Sequence, residues 1–163
     1  MNSGISETGA HKHSVFIVDD HPLVREGLTN LINGQSDLTV CGEAKNSGEA
    51  IDGIAEERPD VAIIDISLTN ESGLELIKNL VKQFPQVAVV VLSMHDEALY
   101  AERALRAGAR GYVMRTTFAA TVSALNVGRS ALDVCFRSST AAKIGSGFIT
   151  IPCPPPNGAS STT

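Results

Sequence analysis

Val15-Phe16-Ile17-Val18-Asp19-Asp20 is an apolar run, mostly β-branched, that stops abruptly on two carboxylates. Continuous apolarity of this length is what a strand buried on both faces requires. The pattern recurs: Val61-Ala62-Ile63-Ile64 stops on Asp65, and Val87-Ala88-Val89-Val90-Val91-Leu92 stops on Ser93. Leu38-Thr39-Val40-Cys41 and Gly111-Tyr112-Val113-Met114, the latter followed by Arg115, are weaker members of the set. Helical stripes lie between them. Val24, Leu28, Leu31 and Ile32 follow Pro22, and Ile51, Ile54 and Ala55 follow Ser47, a potential cap. Leu74, Ile77, Leu80 and Val81 make a third stripe, and Ala98, Ala101 and Leu105 a fourth that halts at Gly108. Strand and helix alternate with short connections, so the expected fold is a doubly wound α/β domain: a five-stranded parallel sheet covered by helices on both faces through right-handed crossovers. A fifth helix carrying Phe118, Val122 and Leu125 is expected to cover the edge after Met114.

The rest of the chain bounds this domain. At 163 residues and 43% apolar content there is material for one core and not for two ordinary domains. Charge divides the sequence, since residues 1–115 carry 10 basic and 17 acidic side chains, net −7, and residues 116–163 are net +2. The last 48 residues hold 14 Ser or Thr, no Glu, and the proline-rich stretch Ile-Pro-Cys-Pro-Pro-Pro. Such composition offers little to bury and few backbone donors for a regular element. The expected organisation is a flexible leader at 1–13, the folded domain at 14–127 and an unstructured, low-complexity tail at 128–163. The longest apolar run, Val87 to Leu92, falls far short of the ~20 residues of a membrane-spanning helix. Cys41, Cys135 and Cys153 form neither a disulfide framework nor a metal pattern, so the expected compartment is the cytoplasm. With net charge −7 on residues 1–115 and only Arg129, Arg137 and Lys143 as loosely spaced bases beyond, sequence-specific DNA binding by these residues is not expected.

Ligands of doubly wound sheets bind beyond the carboxyl ends of the strands, so the residues that close each strand carry the chemistry. Asp19 and Asp20 close the first strand and Asp65 the third. Acids after strands often open turns or cap helices, and before Pro22 either of the first two could do so. Three of them in one crevice repel one another unless a cation intervenes, and an all-oxygen set suits Mg²⁺. Ser93 and Arg115 add a hydroxyl and a cation at the ends of the fourth and fifth strands, with Tyr112 three residues before the arginine. Together they make a site that could hold a phosphoryl group attached to an aspartate.

Val-Asp-Asp-His-Pro-Leu-Val-Arg-Glu-Gly-Leu (18–28), Arg-Pro-Asp-Val-Ala-Ile-Ile-Asp (58–65), Leu-Ser-Met-His-Asp (92–96) and Gly-Ala-Arg-Gly-Tyr-Val (108–113) closely resemble the receiver domain of NarL/FixJ-type bacterial response regulators. The resemblance covers about residues 14–115. It implies a flavodoxin-like sheet of strand order 2-1-3-4-5, with Asp65 the aspartate phosphorylated by a sensor histidine kinase. It further implies that Asp20, Asp65 and the backbone carbonyl of Ser67 ligate Mg²⁺ while Asp19 holds a metal-bound water. Ser93 would contact the phosphoryl oxygens, and Tyr112 would move inward with it, altering a protein-interaction face that could also serve receiver dimerisation. The parent family regulates transcription. The chain is then a phosphoacceptor and not an enzyme in the ordinary sense.

Three features depart from the family pattern. Leu68-Thr69 stands where Met-Pro is usual, although Gly73 sits where the next helix begins. Arg115 stands where the family has Lys, and a planar guanidinium is not equivalent to an ammonium at such a site. Related chains continue into a helix-turn-helix DNA-binding domain, whereas here acidic residues almost vanish after Arg115, as in an out-of-frame reading of a longer gene; resequencing the coding DNA tests that. A phosphatase of the haloacid dehalogenase type would show Asp-x-Asp after its first strand, where this chain has Asp19-Asp20-His21. The stronger alternative is a degenerate receiver that binds a protein partner without phosphate chemistry.

Overall fold

The computed structural model describes residues 12–68, 72–94, 98–115 and 148–150. Strands and helices alternate: β1 (His13–Val18), α1 (Pro22–Asn33), β2 (Leu38–Ala44), α2 (Ser47–Glu57), β3 (Val61–Asp65), α3 (Gly73–Gln83), β4 (Ala88–Ser93), α4 (Ala98–Arg106), β5 (Gly111–Met114) and β6 (Phe148–Thr150). Five strands are parallel and lie in the order β2-β1-β3-β4-β5, the doubly wound topology expected from the alternation. Order reverses between β1 and β3, which puts the ends of those two strands beside the crevice where such folds bind ligands.

Alternation along the strands divides the core in two. Phe16, Val18, Ala62, Ile64, Val89, Val91 and Tyr112 face one side, where Ala50 and Ile54 of α2, Leu76, Ile77 and Leu80 of α3, and Ala101 and Ala104 of α4 cover them. Val15, Ile17, Val61, Ile63, Val90, Leu92 and Val113 face the other, with Leu28 and Ile32 of α1. Burial on both faces is the reason these strands read as unbroken apolar runs rather than as alternating ones.

Local details refine the sequence reading. The residue that caps α2 is Asn46, whose Oδ1 accepts the Glu49 amide at 2.9 Å, and Ser47 is the first helical residue. Neither Asp19 nor Asp20 caps α1; its N-cap is His21, which makes no side-chain cap hydrogen bond, and Pro22 supplies a first-turn residue with φ already set. Strand β2 runs three residues beyond Cys41, to Ala44. A register shift in the β1–β2 pairing sets Phe16 opposite Gly42, where a Cβ would come within 2.5 Å of the phenyl ring, so the ring fills the space a side chain would need.

The segment from residue 128 is expected to be mostly unstructured; within it Phe148–Thr150 pairs antiparallel with β5, with Ile149 opposite Tyr112. Its pairing is through backbone on a sheet edge, which requires no apolar periodicity in the added strand. The expected fifth helix, with Phe118, Val122 and Leu125, falls outside the described residues, as do residues 1–11 of the leader and the rest of the tail. No helix among the described residues is long and apolar enough to cross a membrane.

Candidate functional site

The site assembles at the carboxyl ends of β1, β3, β4 and β5. Val18 pairs with Ile64, so the residues that follow, Asp19 and Asp65, emerge side by side. Both are 1% exposed. A short turn shapes each strand end: the His21 amide donates to Asp19 Oδ1 at 2.8 Å, and the Ser67 amide donates to Asp65 Oδ1 at 3.1 Å. These turns fold the carboxylates back over their own backbone and leave the second oxygen of each to face the crevice. Asp20 stands at the rim, with His21 Nδ1 2.7 Å from its Oδ1 and 3.3 Å from Asp19 Oδ1.

Arg115 enters from the end of β5 and joins the two buried carboxylates. Its Nη2 donates to Asp65 Oδ2 at 2.6 Å and to Asp19 Oδ2 at 3.1 Å. Its Nε is buried and has no hydrogen-bond partner among the described residues. Burial pushes the Asp65 carboxyl above its ordinary pKa, and the neighbouring Asp19 and Asp20 charges add to that; the Ser67 amide and the Arg115 guanidinium oppose it.

Ligand atoms of Asp19, Asp20, His21 and Asp65 all lie within 4.8 Å of one another. Three carboxylates with a single guanidinium against two of them leave an excess of negative charge, and their oxygen donors are those a hard divalent cation takes. The donor set therefore fits Mg²⁺. Ser67 lies exposed next to it on the turn after β3.

Ser93 and Tyr112 belong to the same region by register. Ser93 closes β4, fully buried, and lies on the same sheet face as Val91, which pairs with Tyr112. Tyr112 is 4% exposed and packs with the core beneath α2, α3 and α4. Gly73 starts α3 against the turn after Asp65: a Cβ there would lie 2.8 Å from the Ile66 Cα and carbonyl oxygen. Glycine lets α3 begin close beneath the acidic crevice.

All of the predicted side chains that reach the crevice, Asp19, Asp20, Asp65 and Arg115, come together there. Sequence reasoning passed over three others. Arg25 Nη1 donates to the Asp19 carbonyl oxygen at 2.6 Å and Nε to Glu43 Oε2 at 3.2 Å, while Thr29 Oγ1 donates to Glu43 Oε1 at 2.6 Å. Arg25 was inside the quoted 18–28 motif, and its place in the first turn of a helix that leaves Asp20 was the available signal.

Residues 15–124 match the response regulator receiver domain. The chain is 35% identical over 133 residues to the uncharacterized transcriptional regulatory protein YxjL of Bacillus subtilis, covering 82% of this chain and 61% of that protein. Over 125 residues it is 38% identical to the DNA-binding transcriptional activator DevR/DosR of Mycobacterium tuberculosis, covering 73% of this chain and 57% of the relative. It thus spans about 60% of the length of these curated relatives. Among solved structures, the signal receiver domain of the putative response regulator NarL from Mycobacterium tuberculosis superposes with a TM-score of 0.62 at 30% identity, over 73% of this chain and 99% of that one. A two-component response regulator of the LuxR family from Aurantimonas gives 0.65 at 31% identity, over 72% and 87%.

Proposed function

We propose that this chain, which belongs to the response regulator receiver domain family, accepts a phosphoryl group on Asp65 from the phosphohistidine of a sensor kinase. The observation that carries the reading is the convergence of Asp19, Asp20 and Asp65 within 4.8 Å at the switch in strand order, with Arg115 on two of them. In the reaction an Asp65 carboxylate oxygen forms a bond to phosphorus as the P–N bond of the donor breaks, and the phosphoimidazole, already protonated on its other ring nitrogen, leaves as neutral imidazole. Burial disfavours the charged carboxylate that must attack, and the Ser67 amide and the Arg115 guanidinium favour it; the Ser67 amide on Oδ1 also fixes its rotation. Asp20 and Asp65, with the Ser67 carbonyl, would hold Mg²⁺, and Asp19 would act beside them; the ion supplies charge to offset that building on the phosphoryl oxygens.

Arg115 releases or shares Asp65 as the phosphoryl group arrives, and its Nε, which has no partner among the described residues, is a donor available for one of the phosphoryl oxygens. Ser93 donates to the same group from the end of β4. Tyr112, on the same face, carries the change to the surface formed by α4 and β5, which serves protein contacts, including contact with the kinase and with a second receiver. Regulation of transcription by a longer protein is the output that the relatives suggest, and the cytoplasm is the compartment. Net charge −7 on residues 1–115 makes this portion a poor binder of a phosphate backbone, so its own contacts run to protein and not to DNA or membrane.

The bridging of Asp19 and Asp65 by Arg115 favours a second reading, a receiver whose crevice is closed by its own cation and that acts only as a protein-binding module. A phosphorylated histidine-containing domain mixed with the chain in Mg²⁺ separates the two. Transfer of label to this chain, lost in Asp65→Asn, is expected; no transfer from any such donor, with the fold intact, supports the binding module.

A further inference from the structure

We propose that Arg25 is a positioning residue for the acidic pair, holding the β1–α1 turn in the one geometry that lets Asp19 and Asp20 serve a divalent cation; the inference rests on the metal-site reading above. Asp19 is restrained at every polar group. Its amide donates to the Ala44 carbonyl at 3.1 Å, its Oδ1 accepts from His21, its Oδ2 accepts from Arg115, and its carbonyl accepts from Arg25 at 2.6 Å.

These restraints are not alike. The Arg115 contact is made to an oxygen facing the crevice, so a cation and a phosphoryl group compete for it. The Arg25 contact is made to backbone, away from the ligand atoms, and survives whatever occupies the site. Arg25 is itself fixed from two directions: its amide donates to the His21 carbonyl as α1 begins, and its Nε meets Glu43, which β2 holds and Thr29 orients through its second oxygen. The side chain is 18% exposed. A planar guanidinium can serve the Asp19 carbonyl and the Glu43 carboxylate at once, whereas an ammonium presents no such fork. The consequence is that α1 and β2 are locked to the backbone between the two carboxylates, and the direction of Asp20 follows from where Asp19 is held.

Mg²⁺ titration by calorimetry on the full chain tests this, with the metal-free melting temperature measured alongside. Arg25→Ala is expected to raise the Kd for Mg²⁺ by about tenfold, Arg25→Lys to recover it only partly, and phosphorylation of Arg25→Ala to return at saturating Mg²⁺. Glu43→Gln, which leaves Arg25 in place but weakens its anchor, is expected to raise Kd by less and keeps the inference testable if Arg25→Ala folds poorly. A lowered melting temperature with Kd unchanged in both variants would overturn the inference, since a purely structural arginine behaves that way. Wild-type chain that bound no Mg²⁺ would overturn the metal-site reading and this inference with it.

Discussion

Arg115 Nη2 stands 2.6 Å from Asp65 Oδ2, a charge-assisted hydrogen bond between the end of β5 and the end of β3, with both groups largely out of solvent. Its partner is the proposed phosphoacceptor, so on the proposed reading the same guanidinium would compete with Mg²⁺ for the carboxylates and meet the phosphoryl group once it is in place. Its removal would then have opposed effects: the carboxylates would lose a resident cation that competes with Mg²⁺, and the phosphorylated state would lose a donor.

Arg115→Ala is therefore expected to tighten Mg²⁺ binding by a fewfold while shortening the lifetime of the phosphorylated chain. Calorimetry and the decay of phosphoprotein on a gel measure the two separately. Weaker Mg²⁺ binding in this variant would show that Arg115 organises the carboxylates and does not compete for them.

Mg²⁺ should stabilise the native chain. A ligand bound only by the folded state contributes RT ln(1 + [L]/Kd), about 1.4 kcal/mol at ten times Kd. The melting temperature is expected to climb with added Mg²⁺ in the wild type and to stay nearly flat in Asp20→Ala. Equal climbs in both would remove Asp20 from the ligand set.

The raised pKa of Asp65 makes a pH prediction whose sign is fixed. Because the folded chain binds the Asp65 proton more tightly than the unfolded chain, stability falls as pH rises from the ordinary carboxylate range through the raised value. Without Mg²⁺, Asp65→Asn is expected to be more stable than the wild type at neutral pH by a few degrees of melting temperature. The gap should close on acidification below the ordinary carboxylate pKa. A gap independent of pH would assign the difference to packing and not to the charge of Asp65.

Gly73→Ala places a methyl group 2.8 Å from the Ile66 Cα and carbonyl oxygen. Overpacking against backbone costs typically about 1–3 kcal/mol, and here the backbone that must yield carries Asp65 and Ser67. Chemical denaturation should show a loss of that size, accompanied by slower phosphorylation. Normal stability and rate would mean that α3 can shift without moving the turn.

The parts of the fold and site that could be read in advance share a physical reason. Strands buried on both faces cannot hide in a sequence, and the carboxylates that close β1 and β3, Asp19, Asp20 and Asp65, stand out against the apolar runs before them. Asn46 and Ser47 are adjacent cap-forming residues, and only backbone dihedrals decide between them. The pairing of Arg25 with Glu43 joins positions 18 apart on elements whose relative placement no local pattern encodes. The pairing of β6 with β5 is made through backbone on a sheet edge, to which composition and periodicity are blind.

Intact mass after incubation with a small phosphodonor and Mg²⁺ tests the assignment of Asp65 most directly. One phosphoryl adduct on the wild-type chain, dependent on Mg²⁺ and absent from Asp65→Asn, is the predicted result. An adduct that persists in Asp65→Asn, or a folded wild-type chain that takes none, would contradict it.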